Sequence, residues 1–236
     1  MGKINLGGRD HHHLIFHVDE GYPFVTLEVP ATMEEFLERS VGWCADTHVN
    51  VLDYHLNESK DEVGEGAQPP YTELSRWRAK KHKENFEALG IDSTAETVKA
   101  TRAAGMAFFT GIRVNDVHHC SRNRHPKFWV DHPEFHIGED CPIDARWKGA
   151  LNFAHAEVRD YRKEIIRETL DRWDVDGLEL DFNRMPTLFK TAEVDANRDR
   201  MTAWIGEIQD LVREAGARRG HPIVLEVRVP SVAEVC

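Results

Sequence analysis

Polar and apolar residues alternate most regularly in residues 174–185, Asp-Val-Asp-Gly-Leu-Glu-Leu-Asp-Phe-Asn-Arg-Met. Gly177, Glu179 and Asp181 alternate with Leu178, Leu180 and Phe182. A strand turns successive side chains to opposite faces, so Glu179 and Asp181 share one face. Upstream, Val158, Tyr161, Ile165, Thr169 and Trp173 recur at helical spacing. Past Pro186 the helical spacing returns at Met201, Trp204, Ile205, Ile208, Leu211, Val212 and Ala215. Helix, buried strand, loop and helix in succession predict a parallel α/β protein. Carboxylates at the C-terminal end of such a strand stand where barrel enzymes keep their chemistry.

The same patterns recur along the chain. Residues 14–19 predict a first strand, with Leu14, Phe16 and Val18 on one face and His17 and Asp19 on the other. Thr32 and Glu35 form a capping box that opens a helix carrying Phe36, Leu37, Val41 and Cys44. Residues 48–55 predict a second strand, Val49 and Val51 outward, Asn50, Leu52 and Tyr54 inward. Residues 73–89 predict a charged helix anchored by Trp77 and Phe86. A further helix is capped by Ser93 or Thr94 and ends at Gly105. Residues 106–116 predict a third strand, with Ile112 and Val114 outward and Arg113 and Asn115 inward. Residues 223–229 predict a fifth, with Ile223, Leu225, Val227 and Val229 outward and Glu226 and Arg228 inward. Two long loops intervene, residues 57–72 and 118–151, and loops of that length in a compact domain usually serve function.

Five strands separated by helices, with polar inward residues, predict a TIM-type (β/α)8 barrel of which residues 14–236 hold the first five units. No G-x-G-x-x-G follows the first strand, which weakens a dinucleotide-binding alternative. Residues 1–13, with a His run at His11 to His13, read as a flexible N-terminal segment. An open fifth strand leaves an edge, so we expect a second copy or a missing C-terminal half to cover it.

Composition narrows the partners. A net charge of −11 argues against nucleic acid and anionic membrane, both of which attract basic surfaces. The chain has no apolar run long enough to span a bilayer and no signal-peptide core, so a cytoplasmic location is expected. The four cysteines are widely spaced and form no C-x-x-C pair, which favours reduced, structural thiols.

Nine inward positions near strand ends carry polar or charged groups: His17, Asp19, Tyr54, Arg113, Asn115, Glu179, Asp181, Glu226 and Arg228. A structural ion-pair network accounts for two or three of these and poorly for all, since each buried charge needs a partner to offset desolvation. Carboxylates beside arginines can split their pKa values, as general acid/base work requires. The aromatics Phe128, Trp129, Phe135 and Trp147 in the second long loop would suit sugar rings, or else form a satellite cluster beneath it.

Several segments resemble the family 10-like hypothetical bacterial glycoside hydrolases. They are Ala150-Leu-Asn-Phe-Ala, Glu157-Val-Arg-Asp-Tyr and Arg172-Trp-Asp-Val-Asp-Gly-Leu-Glu-Leu-Asp-Phe-Asn-Arg184. Arg113-Val-Asn-Asp-Val-His118, His132-Pro-Glu-Phe and Val227-Arg-Val-Pro are similar to the same group. The resemblance implies a (β/α)8 barrel that hydrolyses glycans without metal or cofactor. Catalysis is then expected from Asp181, with Glu179 and Glu226 as candidate partners. Substrate contacts are expected from His17, Asp19, Tyr54, Arg113, Asn115, Asp116, His118, Arg184 and Arg228. Two alternatives stay open. One is a metal-dependent hydrolase using Asp19, Asp116, His118 and His119, although no H-E-x-x-H is present. The other is a non-catalytic carbohydrate-binding barrel fragment.

Overall fold

A computed structural model describes residues 13–19, 21–56, 73–115, 126–141 and 148–231, with side chains absent from the description at residues 73–77. Asp116, His118, His119, Trp147 and the Trp77 side chain lie outside what is described. Five strands form one parallel sheet in chain order. They are β1 (Ile15–Asp19), β2 (Val51–His55), β3 (Ala107–Arg113), β4 (Gly177–Asp181) and β5 (Val224–Arg228). The helices are α1 (Gly21–Thr26), α2 (Met33–Leu37), α3 (Glu73–Ala88), α4 (Ser93–Ala103), α5 (Lys127–Asp131), α6 (Ala156–Arg172) and α7 (Val194–Arg219). The fold is α/β, built of consecutive units of a TIM-type barrel.

Local chemistry explains the element ends. Thr32 caps α2 by accepting from Glu35 N–H, while Glu35 accepts from the Thr32 N–H, the reciprocal box that satisfies two orphan donors. Helix α4 is capped by Asp92 and not by Ser93 or Thr94; its carboxylate accepts from the Ala95 N–H and also binds Arg172 and Trp173. A carboxylate that holds three donors outcompetes a hydroxyl for the cap position. Helix α7 starts at Val194, earlier than its apolar spacing predicts, and stops at Gly220, whose φ of 75° is left-handed.

One face of the sheet packs on helices. Leu52, Tyr54, Phe108, Ile112, Leu178 and Leu180 join Val158, Ile166 and Leu170 of α6 and Trp204, Ile208 and Val212 of α7 in one apolar core. Strands β2 and β4 are buried throughout. Strands β1 and β5 lie at the sheet edges, and Val227 and Val229 remain 41% and 58% exposed. A smaller cluster of Phe24, Leu27, Ala31, Phe36 and Phe86 holds α1, α2 and α3 together.

The second strand reverses one expectation. Its phase is shifted by one residue, so Leu52 and Tyr54 face the helices, with the Tyr54 ring 5.8 Å from Phe108. Asp53 and His55 take the opposite face. A one-residue slip exchanges the two faces of a strand. No helix among the described residues is long and apolar enough to cross a membrane.

Candidate active site at the strand C-terminal ends

The strand register stacks the free face of the sheet in layers. Ile15, Val51 and Ala107 are aligned at the bottom. His17, Asp53, Phe109, Gly177 and Val224 form the next row. Asp19, His55, Gly111, Glu179 and Glu226 follow. Arg113, Asp181 and Arg228 make the top row. Apolar packing thus gives way to charge toward the C-terminal ends, the end of a parallel sheet that carries chemistry.

The two middle rows hold a compact cluster. His17 Nδ1 lies 2.7 Å from Asp53 Oδ2 and 3.6 Å from Glu179 Oε2. His55 Nε2 lies 3.1 Å from Asp53 Oδ2 and 3.1 Å from Glu179 Oε1. Asp53 and Glu179 are fully buried. His55 Nε2 is hydrogen-bonded to Asp53 Oδ2, which His17 Nδ1 also approaches, and neither Glu179 oxygen has an aligned partner among the described residues. Burial lowers the His55 pKa, but its contacts with Asp53 and Glu179 and their charges outweigh this and carry it up to about 9. The Asp53 hydrogen bond likewise raises His17. Burial would raise Asp53, yet the two imidazoles hold it below the usual carboxylate range. Burial, with the Asp53 charge, pushes Glu179 up.

The top row is built of acid–base pairs. Arg113 donates to Asp19 Oδ2 at 2.8 Å, bridging β3 to β1 across β2. Asp181 Oδ1 accepts from the backbone N–H groups of Asn183 and Arg184 at 2.8 and 3.2 Å. Its Oδ2 is 3.4 Å from Arg228 Nη1. The turn after it places Met185 at φ 59°, a left-handed conformation that non-glycine residues rarely hold outside specialised sites. Glu226 is raised to about 6 by burial and by the charges of Glu179 and Asp53.

Of the expected site residues, His17, Asp19, Arg113, Glu179, Asp181, Glu226 and Arg228 share this face. Arg184 is exposed on the turn beyond β4 and contributes a backbone donor to Asp181. Tyr54 lies in the apolar layer on the other side. Asn115 is fully buried and spent on backbone: its amide donates to Leu151 O and Thr187 O and accepts from Leu151 N. It fastens the loops behind the rim. The described loop aromatics stack on protein groups: Phe128 on Tyr161 at 4.2 Å, Trp129 on His136 at 4.1 Å. Asp53 and His55 were missed by the sequence reading. Their signal is present, because Asp53-x-His55 repeats the alternate spacing of His17-x-Asp19 and Glu179-x-Asp181.

No family model matches the chain, and no curated protein matches it. Solved structures do. A GH36 alpha-galactosidase, AgaB, from Geobacillus stearothermophilus superposes with a TM-score of 0.51 at 15% identity, covering 93% of this chain and 28% of that one. The galactosidase domain of an alpha-galactosidase–sucrose kinase, AgaSK, gives 0.50 at 15% identity, covering 93% and 27%. The chain therefore spans somewhat over a quarter of the length of each. At this identity the likeness establishes the fold: the chain shares the architecture of a glycoside hydrolase barrel domain.

Proposed function

We propose that this chain carries part or all of the active site of a glycoside hydrolase, with Asp181 and Glu226 as its working carboxylates. One observation carries the reading. Neighbouring parallel strands present, at their C-terminal ends and on one face, a carboxylate contacted only by donors and a second carboxylate held at about 6. Two carboxylates in environments that differ in this way are what glycosidic cleavage uses, one as acid and one as nucleophile or base. Asp181, fixed by two backbone N–H groups and facing Arg228, suits the nucleophile or base. Glu226, protonated in mildly acidic solution, suits the acid. Glu179 lies one row below Asp181, and the Arg113–Asp19 pair spans the rim beside it. The segments that resemble family 10-like glycoside hydrolases include the Asp181 turn, which supports the choice of Asp181.

The test is release of reducing sugar from a panel of oligosaccharides and nitrophenyl glycosides, starting with alpha-galactosides because the two similar structures are alpha-galactosidases. Activity that disappears in both Asp181→Asn and Glu226→Gln supports the assignment. Activity that survives both substitutions would sink it.

A further inference from the structure

Beside Glu226 and below Asp181, four buried or half-buried side chains converge. We propose that His17, Asp53, His55 and Glu179 bind one divalent transition-metal cation, Zn2+ by ligand chemistry. This inference uses neither Asp181 nor Glu226 as a ligand.

Spacing is the first argument. One donor atom from each residue lies within 4.8 Å of the others. The imidazole nitrogens of His17 and His55 are 3.3 Å apart. Asp53 Oδ2 lies 2.7 Å from His17 Nδ1 and 3.1 Å from His55 Nε2, while the Glu179 carboxylate offers Oε1 at 3.1 Å to His55 and Oε2 at 3.6 Å to His17. Metal–ligand bonds of about 2.0–2.1 Å in a tetrahedron place neighbouring donor atoms about 3.3 Å apart. The separations from the two imidazoles to the carboxylates, 2.7–3.6 Å, bracket that spacing. Two imidazoles with two carboxylates are borderline ligands of the kind that Zn2+ accepts.

Polar satisfaction is the second argument. Glu179 is fully buried, faces both histidines, and has no aligned hydrogen-bond donor for either oxygen among the described residues. Asp53 Oδ1 is in the same position. A buried carboxylate without a donor is costly. A cation among the four would engage Glu179 and Asp53 together, whereas His55 Nε2, 3.1 Å from an oxygen of each, has one proton to give.

Gly111 is the third. It stands in register between His55 and Glu179. A Cβ there would meet the His55 ring at 2.4 Å. The ring occupies the space a side chain would fill, so the glycine admits the ligand. Below, Phe109 covers Gly177 in the same manner, its ring 2.5 Å from where a Cβ would sit, and gives the cluster an apolar wall.

The experiment is calorimetric titration of the chelator-treated full chain with Zn2+, joined to visible absorption with Co2+ as a spectroscopic substitute. We expect one equivalent per chain and a Co2+ spectrum of four-coordinate nitrogen and oxygen ligation. His17→Ala, Glu179→Gln and Gly111→Ala should each weaken binding at least about 100-fold, since even groups that merely support metal ligands are worth 10–100-fold. His17 is the partly exposed ligand, so its variant folds even if Glu179→Gln does not, and circular dichroism checks each. His11 to His13 stay intact in every variant. Binding that persists unchanged in His17→Ala would place the ion on that run or elsewhere and overturn the proposal, as would the absence of stoichiometric binding in the parent chain. Metal binding is read without any glycan, and hydrolysis is tested separately through Asp181.

Discussion

Strand β4 is entered and left through clusters of charge that differ in one respect. At its N-terminal end Asp174 and Asp176 are saturated. Asp176 accepts from the Phe108 N–H and from Arg102, while Asp174 contacts Arg102, Arg219 and His221. Arg172, Asp174 and Arg219 line a hollow of about 300 Å³ there. This hollow lies at the end away from the strand C-termini, and its acid is already matched. At the C-terminal end Glu179 is fully buried with both oxygens lacking aligned donors. A saturated network holds a strand in place. An unsaturated one keeps capacity for something that binds, and barrels conventionally divide stability and chemistry between these two ends.

The largest effect that would test this division is on turnover. Asp181→Asn should lower glycan hydrolysis about 10²–10⁴-fold while leaving the melting temperature close to that of the parent. A comparable loss from Asp176→Ala, per folded molecule, would erase the distinction. That second substitution should instead cost about 1–3 kcal/mol of stability, measured by urea unfolding, because it strands the Phe108 N–H. Asp176→Asn, which retains an acceptor, should cost less.

Titration sharpens the contrast further. Glu226 is held at about 6 in the folded chain against an ordinary 4.5, so its contribution to stability is complete below pH 4.5 and is lost as pH rises toward 6. Chelator-treated protein should show that decline, together with a fall in hydrolysis through the same window, and Glu226→Gln should flatten the stability curve. A flat curve in the parent would remove the acid role. Asp174 has the opposite sign. Burial would raise it, but His221 and Arg102 hold it well below the usual carboxylate range. Its stabilisation is present above about pH 4 and lost as pH falls. Being half exposed, the network costs little when cut: Asp174→Ala should lose about 0.2–1 kcal/mol, resolved only by careful denaturant titration.

Much of this was legible in the residue pattern. Alternation in residues 177–182 and 16–19 gives the correct face for His17, Asp19, Glu179 and Asp181, because Leu178 and Leu180 in one strand and Phe16 and Val18 in the other keep one face apolar. Strand β2 offers no such rule. Val51, Leu52, Asp53, Tyr54 and His55 are all buried, so an aromatic tyrosine and a polar aspartate compete for the inner face, and only packing against Phe108 decides. Asn115 shows the converse. It lies just beyond β3, and its amide groups are taken by loops that no periodicity reveals. The cluster of His17, Asp53, His55 and Glu179 depends on three strands at once, and a contact across strands leaves no mark in any single segment.

The residue with the least chemistry has an outsized bearing on how this site can change over generations. Gly111 offers no charge, no donor and no ligand, yet the His55 ring fills the space beside it. Every other amino acid brings a Cβ. Mutation at this codon therefore has no mild outcome: each amino-acid replacement displaces the imidazole. Lineages that give up the cluster can do so in one step at a position that a survey of reactive side chains would pass over. Lineages that keep it must hold that codon fixed, so the glycine would report on the site's survival as faithfully as the histidine does.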